Sequence, residues 1–93
     1  MNRKNTLTIL NALADETRLK ILGLLLDGEK CVCEIFPKVK RTQSTVSTQL
    51  ATLEKADLIE SRRQGKKIFY KIKNPIVCDI FKVLGYSKGN LPR

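Results

Sequence analysis

Apolar residues recur along this chain first at the spacing of helices, then at that of strands, then of a helix again. Leu7, Ile9, Leu10 and Leu13, within Thr6 to Ala14, predict a short helix with more apolar surface than one small core requires. Asp15 has the side chain of an N-cap, and the helix after it carries Leu19, Ile21, Leu22, Leu24, Leu25 and Leu26, which leave little polar circumference. This is the expected central core helix, closed by Gly28 as a left-handed cap. A short third helix is expected around CVCEIF, with Val32 and Ile35 inward and Pro37 stopping or kinking it. Lys38, Lys40 and Arg41 then form a basic connection. From Thr42 to Leu58 a fourth helix buries Val46, Leu50 and Leu53 at i, i+4 and i+7.

At Leu58 the period falls to two. Ile68, Tyr70 and Ile72 share one face and Lys67, Phe69 and Lys71 the other, so LIESRRQGKKIFYKI reads as a hairpin turning at Arg63-Gln64-Gly65-Lys66. Asn74 and Pro75 are the N-cap and first residue of a last helix, in which Ile76, Val77, Ile80, Phe81 and Leu84 form a wide apolar stripe. Residues 86–93 read as a polar, frayed tail. The expected fold is mostly α with a small β-hairpin, one winged helix-turn-helix domain spanning residues 1–93. Two apolar terminal helices in so short a chain predict a homodimer, with Leu7, Leu10, Ile76, Val77, Ile80, Phe81 and Leu84 at the contact.

The polar side of the fourth helix changes the picture. Gln43, Ser44, Thr45, Ser47, Thr48, Gln49 and Thr52 are poor choices for a merely solvated helix, where Glu, Lys and Ala serve stability better. Short hydroxyls and amides can approach a phosphate backbone or read base edges in a major groove. Thr42 stands where an N-cap would start this helix, placing Gln43 and Ser44 beside the positive end of its dipole, where phosphate is welcome. The plainer reading is an ordinary Ser/Thr-rich helix.

Charge separates the two. Eighteen Lys and Arg against nine Asp and Glu give +9, and Arg62, Arg63, Lys66, Lys67, Lys71 and Lys73 crowd into the hairpin segment. That local excess suits a polyanion, double-stranded DNA above all. The expected contact set is Thr42, Gln43, Ser44, Thr45, Ser47, Thr48 and Gln49 on the helix, with Arg62, Arg63, Gln64, Lys66, Lys67 and Tyr70 on the hairpin. No apolar run is long enough to span a bilayer and the start lacks the pattern of a signal peptide, so no membrane role and a cytoplasmic location are expected. Three cysteines, an odd number, argue against a disulfide framework and leave free thiols, metal ligands or a redox pair. With no histidine, His-based catalysis and His-containing metal sites are excluded, and a cysteine enzyme lacks its base.

LADETRLKILGLLLDGEKCVCEI and TQSTVSTQLATLEKADLIESRRQGKKIFYKI, from about Leu10 to Ile72, resemble the ArsR-type metalloregulatory repressors. The most telling pieces are DETR, the CVCEI box, QSTVSTQL with its LEKADLI exit, and the RQGKKIFYKI wing. Asp57 departs from the glycine the family often places there, a residue that tolerates a left-handed backbone better than most. The resemblance implies a repressor; a homodimer, with its two recognition helices about 34–36 Å apart, implies an inverted-repeat operator, and no required cofactor is expected.

In that family's arsenic and cadmium or lead sensors a CVC box supplies thiolates to a soft metal, and Cys31 and Cys33 match its two positions. Candidate inducers are therefore arsenite, Cd(II), Pb(II) and Zn(II). On a regular helix residues two apart point about 200° apart, so both thiols are expected to reach one ion only if the first turn loosens. Further ligands of the family are missing, and two thiols are too few for trigonal or tetrahedral binding, which leaves Cys78 as the third candidate. Three readings of the box stay open: soft-metal or arsenite sensing, a thiol redox switch, and a silent pair in a ligand-independent regulator. A winged helix serving only protein or RNA contacts is the rival to DNA binding.

Overall fold

The computed structural model describes residues 3–85 as five helices around a small antiparallel sheet. The first helix, α1, is Arg3–Leu13, and α2 is Glu16–Leu25. Asp15 caps α2 as expected, with extended backbone and a carboxylate accepting from the Arg18 N–H at 3.0 Å. Leu26, not Gly28, is the C-cap of α2; Gly28 lies two residues further on at φ +130°, turning the chain in a conformation that favours glycine.

Strand β1, Lys30–Cys31, was not foreseen. It pairs with β3, Lys67–Ile72, which in turn pairs with β2, Ile59–Gln64, so the expected hairpin becomes a sheet of order β1-β3-β2. Cys31 lies opposite Phe69, and Phe69 opposite Arg62. Gln64 pairs with Lys67, which makes the turn Gly65-Lys66 one residue later than expected. Gly65 at φ +62° occupies the first turn position, where a two-residue hairpin loop demands positive φ.

Helix α3, Val32–Val39, runs through Pro37 instead of stopping there. Ile35 and Val39, one turn apart and both fully buried, hold the last turn in place although Pro37 supplies no N–H. Lys40 then ends the helix with a left-handed backbone. Helix α4, Gln43–Lys55, follows after Thr42, and the left-handed Asp57 closes its exit as anticipated. Helix α5 is Ile76–Val83. Its start lies one residue beyond the expected one, so Pro75 and not Asn74 is the N-cap; the Asn74 side-chain oxygen still accepts from the Ile76 N–H at 3.0 Å.

The core gathers Ile21, Leu22, Ile35, Leu50, Leu53, Leu58, Val77 and Phe81, all 2% exposed or less. Val77 and Phe81 are a correction: expected at a dimer contact, they face this chain's own centre, because α5 is short and rests one face on the core. Leu7, Leu10, Val83 and Leu84 stay outside, at 54%, 53%, 85% and 60% exposure, while Ile76 and Ile80 are half-buried against the core. The tail expected at residues 86–93 lies outside the described residues. Among the described residues no helix is long and apolar enough to cross a membrane.

Candidate nucleic-acid interface

Helix α4 begins at a fully formed cap. Thr42 Oγ1 accepts from the Thr45 N–H at 3.1 Å and lies 2.9 Å from Thr45 Oγ1. Gln43, Ser44, Ser47 and Thr48 are exposed in the first two turns. The Thr48 and Thr52 hydroxyls donate to the Ser44 and Thr48 carbonyls, both at 3.0 Å, which commits their protons to the helix and leaves their oxygens as acceptors.

Gln49 stands apart from this set. It is half-buried, and its Oε1 accepts from Arg18 Nη1 at 2.6 Å. Arg18 also donates to the Ala12 and Asn11 carbonyls at 2.7 and 3.1 Å, so one guanidinium joins the end of α1 to the flank of α4. Arg18 was missed in the sequence, where its place in an apolar helix gave no hint of partners 31 positions away. Thr45 is half-buried as well and serves the cap.

The wing cations divide in the same way. Arg63, Lys66 and Lys67 are exposed, and among the described residues their side chains have no ion pair or hydrogen bond. The Arg62 guanidinium grips Glu29, with Nη2 2.6 Å from Oε1 and Nε 3.1 and 3.0 Å from the two carboxylate oxygens. Its Nη1 donates to Gln64 Oε1 at 2.7 Å, and its Cζ lies over the Phe69 ring, 4.5 Å from the centroid. The Arg62 fork holds the Glu29 carboxyl below its ordinary range, and the carboxylate raises Arg62 in return. Ser61 donates to Glu54 Oε2 at 2.7 Å, tying β2 to α4.

The cysteines sit between these two elements. Cys31 is not on the helix. It is the N-cap of α3, with the extended backbone of β1, and its Sγ accepts from the Cys33 N–H at 3.1 Å while Glu34 Oε1 accepts from the Cys31 N–H at 3.0 Å. The two side chains therefore meet without any loosening of the first turn, and they are joined by a disulfide with Cα atoms 5.1 Å apart. Cys31 is buried and Cys33 exposed. A cleft of about 330 Å³ opens beside them, walled by Gln43 and Ser47 of α4 and by Lys66, Lys67 and Tyr70 of the wing. Burial first, and the Glu54 charge second, push the Tyr70 phenol above its ordinary range, so it stays neutral and able to donate there.

Cys78 does not join them. Its thiol is exposed on α5 and borders a different cleft, beside Leu26, Glu29 and Lys73. Among the described residues no three His, Cys, Asp or Glu side chains are arranged to hold a metal.

Comparison with known proteins fits this geometry. A model of the bacterial regulatory proteins of the arsR family matches residues 15–61. The arsenical resistance operon repressor of Staphylococcus aureus is 36% identical over 84 residues, covering 90% of this chain and 81% of the relative. Among solved structures, HlyU from Vibrio cholerae superposes with a TM-score of 0.82 at 31% identity, over 90% of this chain and 94% of that one. The homodimeric winged helix-turn-helix DNA-binding domain Mb0332 from Mycobacterium bovis does so with a TM-score of 0.79 at 32% identity, over 87% of this chain and 75% of that one. A capped helix of exposed Gln, Ser and Thr beside a basic wing, on a fold shared with these regulators, makes the chain a member of the arsR family, a winged helix-turn-helix DNA-binding transcriptional regulator and not an enzyme.

Proposed function

We propose that the chain is a cytoplasmic repressor, a single DNA-binding domain, that holds an inverted-repeat operator as a homodimer and releases it when its cysteine pair changes chemical state. Gln43, Ser44, Ser47 and Thr48 read the major groove, and Arg63, Lys66 and Lys67 meet phosphate or an adjacent minor groove. Leu7, Leu10, Val83 and Leu84, exposed on the two terminal helices, supply the apolar surface that pairs with a second copy. Two recognition helices in such a dimer stand about 34–36 Å apart, which sets half-sites one helical turn, or a multiple, from each other.

The observation that carries the reading is the cleft: Cys31 and Cys33 line the same space as Gln43, Ser47, Lys66 and Lys67. A group bound on the sulfurs occupies ground next to the DNA-reading side chains. The reduced pair offers two thiolates to arsenite or to a soft ion such as Cd(II), Pb(II) or Zn(II), the first of these being the class named in the Staphylococcus aureus relative. Among the described residues one chain brings only these two sulfurs together, so a third donor would come from a second copy or from solvent. The bridged pair favours a second reading, a redox switch in which peroxide takes two electrons and two protons from the thiols, leaving one disulfide and two waters.

The test is a titration of labelled promoter DNA with reduced protein, with and without arsenite, Cd(II), Zn(II) or peroxide. Coupling of ordinary strength weakens operator binding about 5- to 150-fold. Cys31→Ser with Cys33→Ser keeps operator affinity and abolishes the response. A response to peroxide alone selects the redox switch, and operator binding indifferent to all four reagents overturns both readings. In parallel, Leu84→Glu yields a folded monomer by sedimentation if the dimer forms through the terminal helices.

A further inference from the structure

Arg62 was expected among the wing's DNA contacts, and its surroundings point elsewhere. All three of its guanidinium nitrogens already have acceptors: Nε and Nη2 on the Glu29 carboxylate, Nη1 on Gln64. Its guanidinium carbon lies over the ring of Phe69, the residue opposite it on β3. Glu29 belongs to the loop between α2 and β1, 33 positions earlier in the chain. The contact therefore spans the whole sheet, from the loop that leads into β1 to the outer strand β2, across the central strand. Beyond Ile59 every residue of β2 is exposed, so this outer strand is held by its pairing with β3, which packs Tyr70 and Ile72 against the core, by Ser61 on Glu54, and by the Arg62–Glu29 contact. Arg63, Lys66 and Lys67 are exposed and unpaired among the described residues, which leaves them available for phosphate.

We propose that Arg62 is a positioning residue of the DNA-binding surface and not one of its phosphate ligands: with Glu29 and Phe69 it braces the wing against the loop before β1. The brace needs the planar fork of arginine, which matches a carboxylate with two parallel bonds and stacks on an aromatic ring. A lysine keeps the charge but can do neither. The proposal rests on the wing's role in DNA binding, and its test carries a readout that does not depend on DNA.

Duplex binding is measured across a salt series for the native chain, Arg62→Ala, Arg62→Lys, Glu29→Gln and the Arg62→Ala, Glu29→Gln pair, with Lys66→Ala for comparison. Losing the brace weakens binding about two- to fivefold, the scale of an exposed ion pair. Arg62→Lys and Glu29→Gln behave like Arg62→Ala, the pair is no worse than either single change, and the salt dependence stays native. Lys66→Ala instead lowers the slope of log K against log salt by about 0.9. Amide exchange on the free protein gives the second readout, with the β2–β3 amides exchanging faster in all the Arg62 and Glu29 variants. The brace is overturned if Arg62→Ala flattens the salt slope as Lys66→Ala does, if Arg62→Lys restores native binding, if Glu29→Gln tightens it by freeing the guanidinium, or if wing exchange is unchanged. Should the native chain show no salt-dependent duplex binding, DNA recognition falls, and the exchange data alone decide on the brace.

Discussion

Helix α4 is anchored along its length by Val46, Leu50 and Leu53, each 1% exposed or less, and at its flank by Arg18. The outer strand β2 of the wing leaves the core after Ile59, and beyond it Glu29 with Arg62 and Glu54 with Ser61 hold it at the surface, while β3 stays half-buried at Ile68, Phe69 and Tyr70. Their outward chemistry is just as different: neutral hydroxyls and amides on the helix, unpaired cations on the wing. Reading base edges needs donors and acceptors held to a fraction of an ångström, which a helix keyed into a core provides. Attraction between cations and phosphate falls off gradually with distance, so a wing whose outer strand is held at the surface loses little of it.

That contrast can be broken most forcefully at the anchor. Leu53→Ala lowers unfolding free energy by about 2–5 kcal/mol, read from denaturant curves, whereas Lys66→Ala changes it by less than about 0.5 kcal/mol. Equal losses would mean that the wing is part of the core's cooperative unit. Next in size is Gln43→Ala, which costs about 1–3 kcal/mol on the native operator and relaxes sequence choice in competition against scrambled duplex. Gln49→Ala leaves sequence choice untouched, because that amide oxygen is held by Arg18. A loss of selectivity there would move the reading face around the helix. Smaller again, Lys66→Ala weakens operator and scrambled duplex by the same factor as each other at any one salt concentration, and that factor shrinks as salt rises. The least effect is one of pH. Arg62 holds the Glu29 carboxyl below its ordinary 4.5, so the contribution of their pairing is complete above 4.5 and disappears as pH falls through the lower folded value. A carboxyl NMR titration places the Glu29 midpoint below 4.5, and Arg62→Ala returns it upward.

Local chemistry was legible from the start. The N-caps Asp15 and Thr42, the left-handed Asp57 and the period of α4 depend on residues within one or two turns, and the structure reproduces them. The cysteine box was legible only by resemblance. Its geometry was misjudged because a helix was assumed to begin at Cys31, while pairing with Phe69 draws that residue into a strand and turns its sulfur back towards Cys33. A strand of two residues has no period for a sequence to display.

What the sequence determined by itself is whatever the backbone settles with its near neighbours: the five helices and the hairpin, to within a few residues at their ends, and that one helix carries an unusual polar face above a basic hairpin. Only the tertiary structure decided which members of those sets are free. Val77 and Phe81 share an apolar stripe with Leu84, yet two point to the core and one to solvent, because a stripe wider than its docking face must leave part of itself outside. Gln49 and Gln43 are alike in the sequence, as are Arg62 and Arg63; Arg18 and Glu29, 31 and 33 positions from their partners, set Gln49 and Arg62 apart. Partners so distant in the chain are brought together by packing alone, and no local pattern records them.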